Sequence, residues 1–358
     1  MKKFILIVMM LGVLSISACQ PSPAVAPENK PAATALPTEE TRTETLTAVP
    51  VVYEPVTLKF NSAKLPSYAP IYLAEKAGYF EQFGIVLDPI SFNRANEAIP
   101  LLASGDLDIY AGTINAGLLN VLSLEPNVKV VADRGSILPG SCTYQAILVR
   151  KDLFDTGVIT KPEDLKGQIV ASSTAGPGGF ILSNYLAQGG LTLADVQISD
   201  VPTGSYIDAF ANKSIAAIVT TELHVTRLLN AGNAVVLARL EDFGSFQLSA
   251  IAFGKNLTID NRDVGVRFLA AYLLGVKKYN EGKTEENVAL LTEATGEDPE
   301  LLKASCWVPI RVDGRIDFTG IDVFQNWSIE QDQLDAPVTE EQFWDPSFLE
   351  EAYSLIGQ

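Results

Sequence analysis

From Pro55 onward, the sequence alternates short runs rich in β-branched residues with stretches whose apolar residues recur three and four positions apart. The short runs, each closed by a turn, are typical of strands, and the longer spacing is that of an amphipathic helix. Alternation of this kind produces a mainly parallel sheet that is covered by helices on both faces. The body of the chain is therefore predicted to have an α/β fold.

The alternation occurs as two successive series. The first series predicts strands at 56–60, 85–91, 107–111 and 128–132, and helices at 69–80, 96–103 and 115–122. The second predicts strands at 146–149, 169–172, 196–199, 216–220 and 234–237, and helices at 179–187, 207–211 and 222–230. After an apolar run at 248–253, the chain is predicted helical at 262–279, 285–295, 299–305, 321–329 and 346–355.

Two series of this size predict two lobes, because about 100 residues is a common domain size. We expect residues 55–143 to form the first part of lobe 1 and residues 144–252 to form lobe 2. Residues 253–358 are then expected to return to lobe 1, so that two crossovers join the lobes.

The N-terminal segment has the pattern of an export signal. Two lysines precede an apolar stretch from Phe4 to Ile16, and two small residues then lead to Cys19. The stretch is too short to span a bilayer, and its end resembles a bacterial lipoprotein signal. We expect residues 1–18 to be removed and Cys19 to be lipidated; the alternative is an ordinary cleaved signal with an incidental cysteine.

Residues 19–54 are rich in proline and threonine and contain no aromatic residue before Tyr53. Such a segment buries too little apolar area to offset its chain entropy. We therefore expect it to be an extended tether, which would hold the protein to a membrane through its lipid.

The charge and composition exclude several classes of function. There are 26 basic and 43 acidic residues, and the formal net charge of -17 repels nucleic acid. One histidine and three cysteines cannot build a zinc site that needs several Cys and His ligands, and no metal or other cofactor is predicted. Any triad enzyme would have to use His224, for which a place on a surface helix is the alternative.

Cys142 and Cys306 lie near the two ends of the predicted region between the lobes. In an exported protein a disulfide is one interpretation, and two buried free thiols are the other. Because spacing alone cannot establish proximity, the sequence favours free thiols.

Several segments resemble one family, the solute-binding proteins of ABC importers for nitrate, sulfonates, taurine and thiamine precursors. The resemblance begins with the helix APIYLAEKAGYF and the turn FGI, and continues through residues 98–108, which end in ASGDLD. It resumes at VRKDL and at PEDLKG, which introduces the second lobe, and covers most of residues 56–282. The chain departs from the family pattern at residues 214–217, which lack the glycine-and-aspartate step, and at Glu222-Leu223, where Glu-Pro is frequent.

The resemblance implies a two-lobed periplasmic-binding-protein fold of type II and a lipid-anchored, extracytoplasmic receptor. Such a protein would be a monomer that closes on a small solute and passes it to an ABC permease without chemistry. An enzyme on the same scaffold, similar to a thiamine-pyrimidine synthase, is one alternative. A sensory or adhesive surface lipoprotein is another.

A glycine-rich loop at residues 172–179 lies between a predicted strand and a predicted helix. Its small side chains leave backbone amides and hydroxyls open to a ligand, which would suit an acid group or a carbonyl. The alternative is a turn that needs glycine for tight geometry alone. The predicted ligand-binding residues of this loop are Ser173, Thr174, Gly178 and Gly179, and the next strand end adds Thr221 and Glu222.

The strand ends of the first lobe provide six further candidates. In the thiamine-precursor branch, a ligand-contacting histidine occupies the position of Tyr68, whose alternative role is packing on Pro66. Arg94 is able to bind an anion with two hydrogen bonds or to form a surface pair with Glu97. The candidates are Asn61, Tyr68, Asn93, Arg94, Gly112 and Thr113, the last with helix capping as its alternative.

The predicted ligand is a flat heterocycle. Arg94 is the only arginine in these strand-end loops, and five aromatic residues lie near predicted loop edges: Tyr68, Tyr110, Tyr144, Phe180 and Tyr206. A bare inorganic anion would prefer a small site dense in donors. The pattern therefore favours a thiamine pyrimidine or riboflavin, with a sulfonate, taurine or nitrate as the alternative.

Overall fold

The computed structural model describes residues 52–63, 65–92 and 97–357. The predicted signal peptide, Cys19 and nearly all of the tether lie outside the described residues. Asn93 and Arg94 also lie outside them.

Ten strands are present in the described residues. They are β1 Val56–Ser62, β2 Ile85–Ser91, β3 Ile109–Thr113, β4 Lys129–Ile137, β5 Gln145–Arg150, β6 Ile169–Ala171, β7 Gln197–Ser199, β8 Ala217–Thr221, β9 Ala234–Arg239 and β10 Phe246–Phe253. Fourteen α-helices are present in the same residues. They are α1 Ala69–Lys76, α2 Tyr79–Gln82, α3 Ala98–Ser104, α4 Ala116–Leu124, α5 Lys151–Asp155, α6 Pro177–Gln188, α7 Tyr206–Ala211, α8 His224–Asn230, α9 Arg262–Asn280, α10 Glu285–Thr295, α11 Pro299–Ala304, α12 Phe318–Glu330, α13 Glu340–Phe343 and α14 Ser347–Leu355.

The strands form two five-stranded sheets, in the orders β2-β1-β3-β10-β4 and β7-β6-β8-β5-β9. In the first sheet β10 is antiparallel to both of its neighbours, and in the second sheet β5 is antiparallel to both of its neighbours. The other four strands of each sheet share one direction. Each lobe is thus a mainly parallel sheet with helices, which confirms the predicted α/β two-lobed fold.

One predicted boundary is wrong. The return to the first lobe was expected at residue 253, but β10 already lies in the first sheet from Phe246 onward. The reason is that β10 lies between β3 and β4 in the first sheet, so the chain must return from the second lobe before β10 begins. The rest of the predicted domain division stays a prediction.

Two helix boundaries reflect local sequence. The predicted helix at 69–80 is divided into α1 and α2 at Gly78, whose φ of 76° lies in the left-handed region that glycine adopts without strain. Asn115 caps α4, since its side chain accepts a hydrogen bond from the Leu118 amide. The capping role considered for Thr113 is therefore wrong, because Asn115 already occupies the cap position.

The long helix α9 anchors the C-terminal region to the first lobe. It packs on α1 so closely that a Cβ added to Gly275 would lie 2.2 Å from the Pro70 carbonyl oxygen. The core around α9 includes Phe253, Phe268 and Phe348, all fully buried. The C-terminal helices thus complete the first lobe instead of forming a separate unit.

Cys142 and Cys306 form a disulfide, with Cα atoms 5.5 Å apart. The expectation of two buried free thiols is wrong, because the fold brings the first crossover against the segment after α11. The bond therefore links the crossover that leaves the first lobe to the C-terminal region that completes it.

Among the described residues, no helix combines the length and apolar character required to cross a membrane.

Candidate functional site

The carboxyl edges of the two sheets face the same space between the lobes. The first crossover runs from the end of β4 to the start of β5, and the second runs from the end of β9 to the start of β10. Both crossovers join these edges, so that the loops after the parallel strands of both lobes converge. Ligands of open α/β sheets bind at such edges.

Arg134, in β4, is the most unusual side chain near this space. It is 4% exposed, and its guanidinium carbon lies 4.2 Å from the centre of the Tyr68 ring. Its Nη2 donates a hydrogen bond of 3.3 Å to Ser67 Oγ. No carboxylate of the described residues pairs with it, and its buried Nε has no hydrogen-bond partner.

Tyr68 and Asn61, both predicted ligand contacts, are buried beside Arg134. Asn61 donates to the Tyr68 hydroxyl at 2.9 Å and exchanges two hydrogen bonds with the backbone of Ala111. The amide of Asn61 is therefore used in joining β1 to β3. Burial raises the pKa of Tyr68, and the charge of Arg134 opposes that rise. The tyrosine is neutral at physiological pH and holds the guanidinium in place.

Gly112 and Thr113 end β3, as expected. Contacts with Tyr110 account for the presence of both residues. A Cβ at Gly112 would lie 2.1 Å from the Tyr110 ring, so the glycine makes room for that ring. The Tyr110 hydroxyl in turn donates to the Thr113 carbonyl oxygen at 2.9 Å. This part of the edge is committed to packing Tyr110, which is fully buried.

The two glycines of the glycine-rich loop differ. A Cβ at Gly179 would lie 2.5 Å from the Thr174 carbonyl oxygen, so glycine is required there for the turn itself. A Cβ at Gly178 would meet Ser172 Oγ at an ordinary 3.5 Å. Gly179 is thus explained by tight geometry, the alternative stated above, whereas Gly178 remains open to a ligand.

The glycine-rich loop lies against the first lobe. A Cβ at Gly176 would be 3.8 Å from that of Asn115, and the carbonyl oxygen of Thr174 accepts a hydrogen bond of 2.8 Å from Gln333 Nε2. Gln333 follows α12, and its own carbonyl oxygen accepts from Asn120 of α4. Ser173 and Thr174 have exposed side chains at this contact.

Gln145 opens β5 on the second-lobe side. It is 5% exposed, and its Oε1 has no hydrogen-bond partner in the described residues. Its Nε2 lies 3.8 Å from the position of a Cβ on Gly178. Thr221 is its partner in the register of β5 and β8 and is half-buried. An unpartnered buried amide beside an open glycine has the character of a ligand contact.

Glu222 has hydrogen-bond partners within the protein. It is 4% exposed, and its two oxygens accept hydrogen bonds from the amide and hydroxyl of Thr226 and from the Cys306 amide. Burial raises the pKa of Glu222, and these hydrogen bonds oppose the rise. The carboxylate thus joins α8 to the segment of the disulfide, and the role of Glu222 as a ligand contact stays a prediction.

His224 lies at the first position of α8, half-buried, with the Tyr206 ring packed edge-on at 5.3 Å. Burial lowers its pKa, as does the charge of Arg227. No group of three or more His, Cys, Asp or Glu residues in the described ranges is placed to hold a metal ion.

Arg134 and Gln145 are absent from the ligand contacts predicted from the sequence, and Tyr144 enters there only as one of the loop-edge aromatic residues. Burial raises the pKa of Tyr144, opposed by hydrogen bonding to Ser67 and by the charge of Arg134, so this tyrosine faces the same cluster. A signal was present: Asp133 and Arg134 directly follow the apolar run from Val130 to Ala132, inside the segment that forms β4. A charged pair followed by glycine inside a buried strand is unusual enough to be examined.

A family model described as NMT1/THI5 like matches residues 65–282. No curated protein sequence matches the chain.

Three solved structures share the fold. The ligand-binding component of an ABC-type import system from Staphylococcus aureus, with zinc bound, has a TM-score of 0.68 at 15% identity, over 84% of this chain and 99% of that one. The alkanesulfonate-binding protein SsuA from Xanthomonas axonopodis pv. citri, bound to MOPS, has a TM-score of 0.65 at 16% identity, over 82% and 99%. The desulfurization enzyme DSZB has a TM-score of 0.64 at 15% identity, over 84% and 99%. At these identities the likeness concerns the fold.

Proposed function

Because the chain belongs to the NMT1/THI5-like family, we propose that it is the extracytoplasmic solute-binding component of an ABC importer. It captures a small solute between its lobes and delivers it, as a monomer, to a permease. The observation that carries this proposal is the set of buried, unpartnered polar atoms at the facing strand ends, of which Arg134 Nε and Gln145 Oε1 are the clearest. Of the solved structures that share the fold, one is described as the ligand-binding component of an ABC-type import system and another as an alkanesulfonate-binding protein.

An enzyme is the second candidate, since DSZB shares the fold. Binding without chemistry is supported by the cysteines. Cys142 and Cys306 are joined to each other, and His224 lies on α8 against Tyr206. A thiol–imidazole pair in the body of the chain would require both arrangements to be broken. Purified protein incubated with its solute should return it unaltered by mass spectrometry, and a new product would support the enzyme.

The ligand proposed from the sequence was a heterocyclic vitamin or precursor, a thiamine pyrimidine or riboflavin. That interpretation depended on Arg94 as the only arginine near the strand ends. Arg134 changes the balance, because a buried cation suits an acid group better than a neutral ring. We therefore place organic acids, including sulfonates such as taurine, before the neutral vitamins.

The anchor is part of the proposal. We expect Cys19 to carry lipid, and residues 19–54 to give the lobes reach from the membrane to the permease. Labelled fatty acid should enter the wild-type protein and be absent from Cys19→Ser. Equal labelling of the two would contradict the anchor.

Closure on the solute provides the main test. The solute carried through native purification is identified by mass spectrometry, removed by unfolding and refolding, and added back. Scattering at small angles should show compaction, and the melting temperature should rise, because the ligand binds the folded state alone. A rise in melting temperature without compaction would contradict closure. If neither the melting temperature nor the scattering changed, solute capture itself would be contradicted.

A further inference from the structure

The backbone of β4 sets Arg134 apart from its neighbours. In the register between β4 and β10, Ser249 pairs with Gly135 and Ala250 pairs with Asp133, so Arg134 is the extra residue of a β-bulge. Bulges re-aim a side chain and are frequent beside functional sites. The bulge lies near the carboxyl edge of the first sheet, where the lobes meet.

The charge of Arg134 is not compensated within the described residues. A guanidinium stays protonated at any physiological pH, and burying it without an anion is costly. Arg267, another buried arginine, has the Asp263 carboxylate at 3.3 Å and the Phe83 carbonyl oxygen at 2.9 Å. Since Nε of Arg267 is also unpartnered, the missing carboxylate is what distinguishes Arg134.

The surroundings of Arg134 hold it ready for an anion instead of neutralising it. The face of the Tyr68 ring favours a cation without removing its charge, and Ser67 takes one N–H of Nη2. Burial keeps Tyr68 and Tyr144 in their neutral forms, so neither supplies a negative charge. Among the described residues, the Nε–H of the guanidinium has no partner and no carboxylate pairs with Arg134.

We propose that Arg134 binds the acid group of an anionic organic solute, a carboxylate or sulfonate, with Ser67 and Tyr144 beside it and Gln145 contacting the solute from the second lobe. This rests on the proposed function, solute capture between the lobes. The ligand would complete a buried ion pair that the protein leaves half made. Solutes without an acid group would leave the charge uncompensated and bind less tightly.

The first arm of the test needs no ligand. Full-length protein is unfolded in urea, freed of small molecules and refolded, and its melting temperature is compared with that of Arg134→Gln. A residue held for a ligand predicts an equal or higher melting temperature for the variant, because an uncompensated charge is removed. A fall of several degrees would identify Arg134 as structural and overturn the proposal.

The second arm measures binding by calorimetry at fixed ionic strength. The probes are taurine, ethanesulfonate and benzoate as acids, and riboflavin and an aminopyrimidine as neutral rings. We expect an acid to bind the wild type, with affinity lowered about 100-fold in Arg134→Gln and less in Arg134→Lys, which keeps the charge but not the planar fork. Arg315→Gln removes an exposed arginine and should bind as the wild type does.

The outcomes separate the two claims. Binding of a neutral probe in preference to every acid, or equal affinity in Arg134→Gln, would overturn the acid-group site while leaving solute capture intact. If neither class binds the wild type and no solute is carried through purification, both claims fail.

Discussion

Asp133 and Arg134 are consecutive residues of β4, and both are buried, but their surroundings are opposite. The Asp133 carboxylate accepts hydrogen bonds from the Gly135 and Arg311 amides, from Gln247 Nε2 and from the Ser136 hydroxyl. The Arg134 guanidinium, by contrast, donates a hydrogen bond to Ser67 Oγ and lies over the Tyr68 ring.

The difference separates architecture from site. The partners of Asp133 come from β4, β10 and the segment before α12, so the carboxylate holds three parts of the first lobe together. Arg134 contacts Ser67 and the Tyr68 ring through its guanidinium, and both belong to one short segment before α1. Asp133 is therefore part of the architecture of the first lobe, whereas Arg134 is the residue that we propose contacts the solute.

The largest expected effect is the loss of Asp133. Asp133→Ala removes the side-chain acceptor of the Gly135 and Arg311 amides, whereas Gln247 Nε2 keeps the Gly135 and Ser249 carbonyl oxygens. We expect a loss of about 3–5 kcal/mol in the free energy of unfolding. Urea denaturation of the ligand-free protein measures it. The matched variant is Arg134→Gln, for which no loss is expected. Equal losses in the two variants would remove the distinction between them.

The glycine-rich loop offers the same comparison in the second lobe. Gly179→Ala drives a Cβ into the Thr174 carbonyl oxygen and should cost about 1–3 kcal/mol of stability. Gly178→Ala meets ordinary contacts and should unfold like the wild type while binding its solute less tightly. Calorimetry and urea denaturation separate the two. A stable Gly179→Ala would contradict the structural role of that glycine.

The pH dependence of stability provides a smaller effect. Burial raises the pKa of Asp133 from its ordinary 3.8 to about 6, against the hydrogen bonds that favour the charged form. Because the folded pKa is the higher one, the folded state binds the proton more tightly, and stability rises as pH falls through 6 towards 3.8. We expect about 1 kcal/mol between pH 7 and 5. Asp133→Asn should lack this component, and an unchanged profile in that variant would contradict the assignment.

The smallest effect is expected at Gln145. Gln145→Leu removes a buried oxygen that has no partner, so stability should change by less than about 0.5 kcal/mol. Affinity for the solute should fall. Gln197→Leu makes the same change at an exposed glutamine of β7 and serves as the control, with unchanged affinity expected. A large loss of stability in Gln145→Leu would show that this residue, like Asp133, has a structural role.

Local periodicity predicted the elements well. β2 at 85–91 and α10 at 285–295 have the predicted bounds, since an apolar run and a Thr284 cap mark them in the sequence. The division of the predicted helix at Gly78 depends on a left-handed glycine that the apolar spacing does not reveal. Whether a segment forms a helix or a strand depends largely on neighbouring residues, so the sequence alone predicts it.

The candidate site was less predictable, because Arg134 and Gln145 are distinguished by buried polar atoms that lack hydrogen-bond partners in the described residues. Arg134 lies beyond the predicted end of its strand at residue 132, and a bulge with no signature of its own re-aims it. The hydrogen bond of Glu222 with the Cys306 amide, distant in sequence, could not be foreseen from the sequence either. The disulfide depends on the same long-range contact. Hydrogen-bond and disulfide partners that lie far apart in the sequence cannot be identified from the sequence alone.

The position of β10 has a consequence for how the chain is made. All strands of the second sheet come from one continuous stretch, whereas the first sheet keeps a vacant place between β3 and β4 until β10 arrives. A chain that emerges from its N-terminus therefore displays unpaired strand edges during the whole synthesis of the second lobe. The lobe that is translated first is the one that must be completed last.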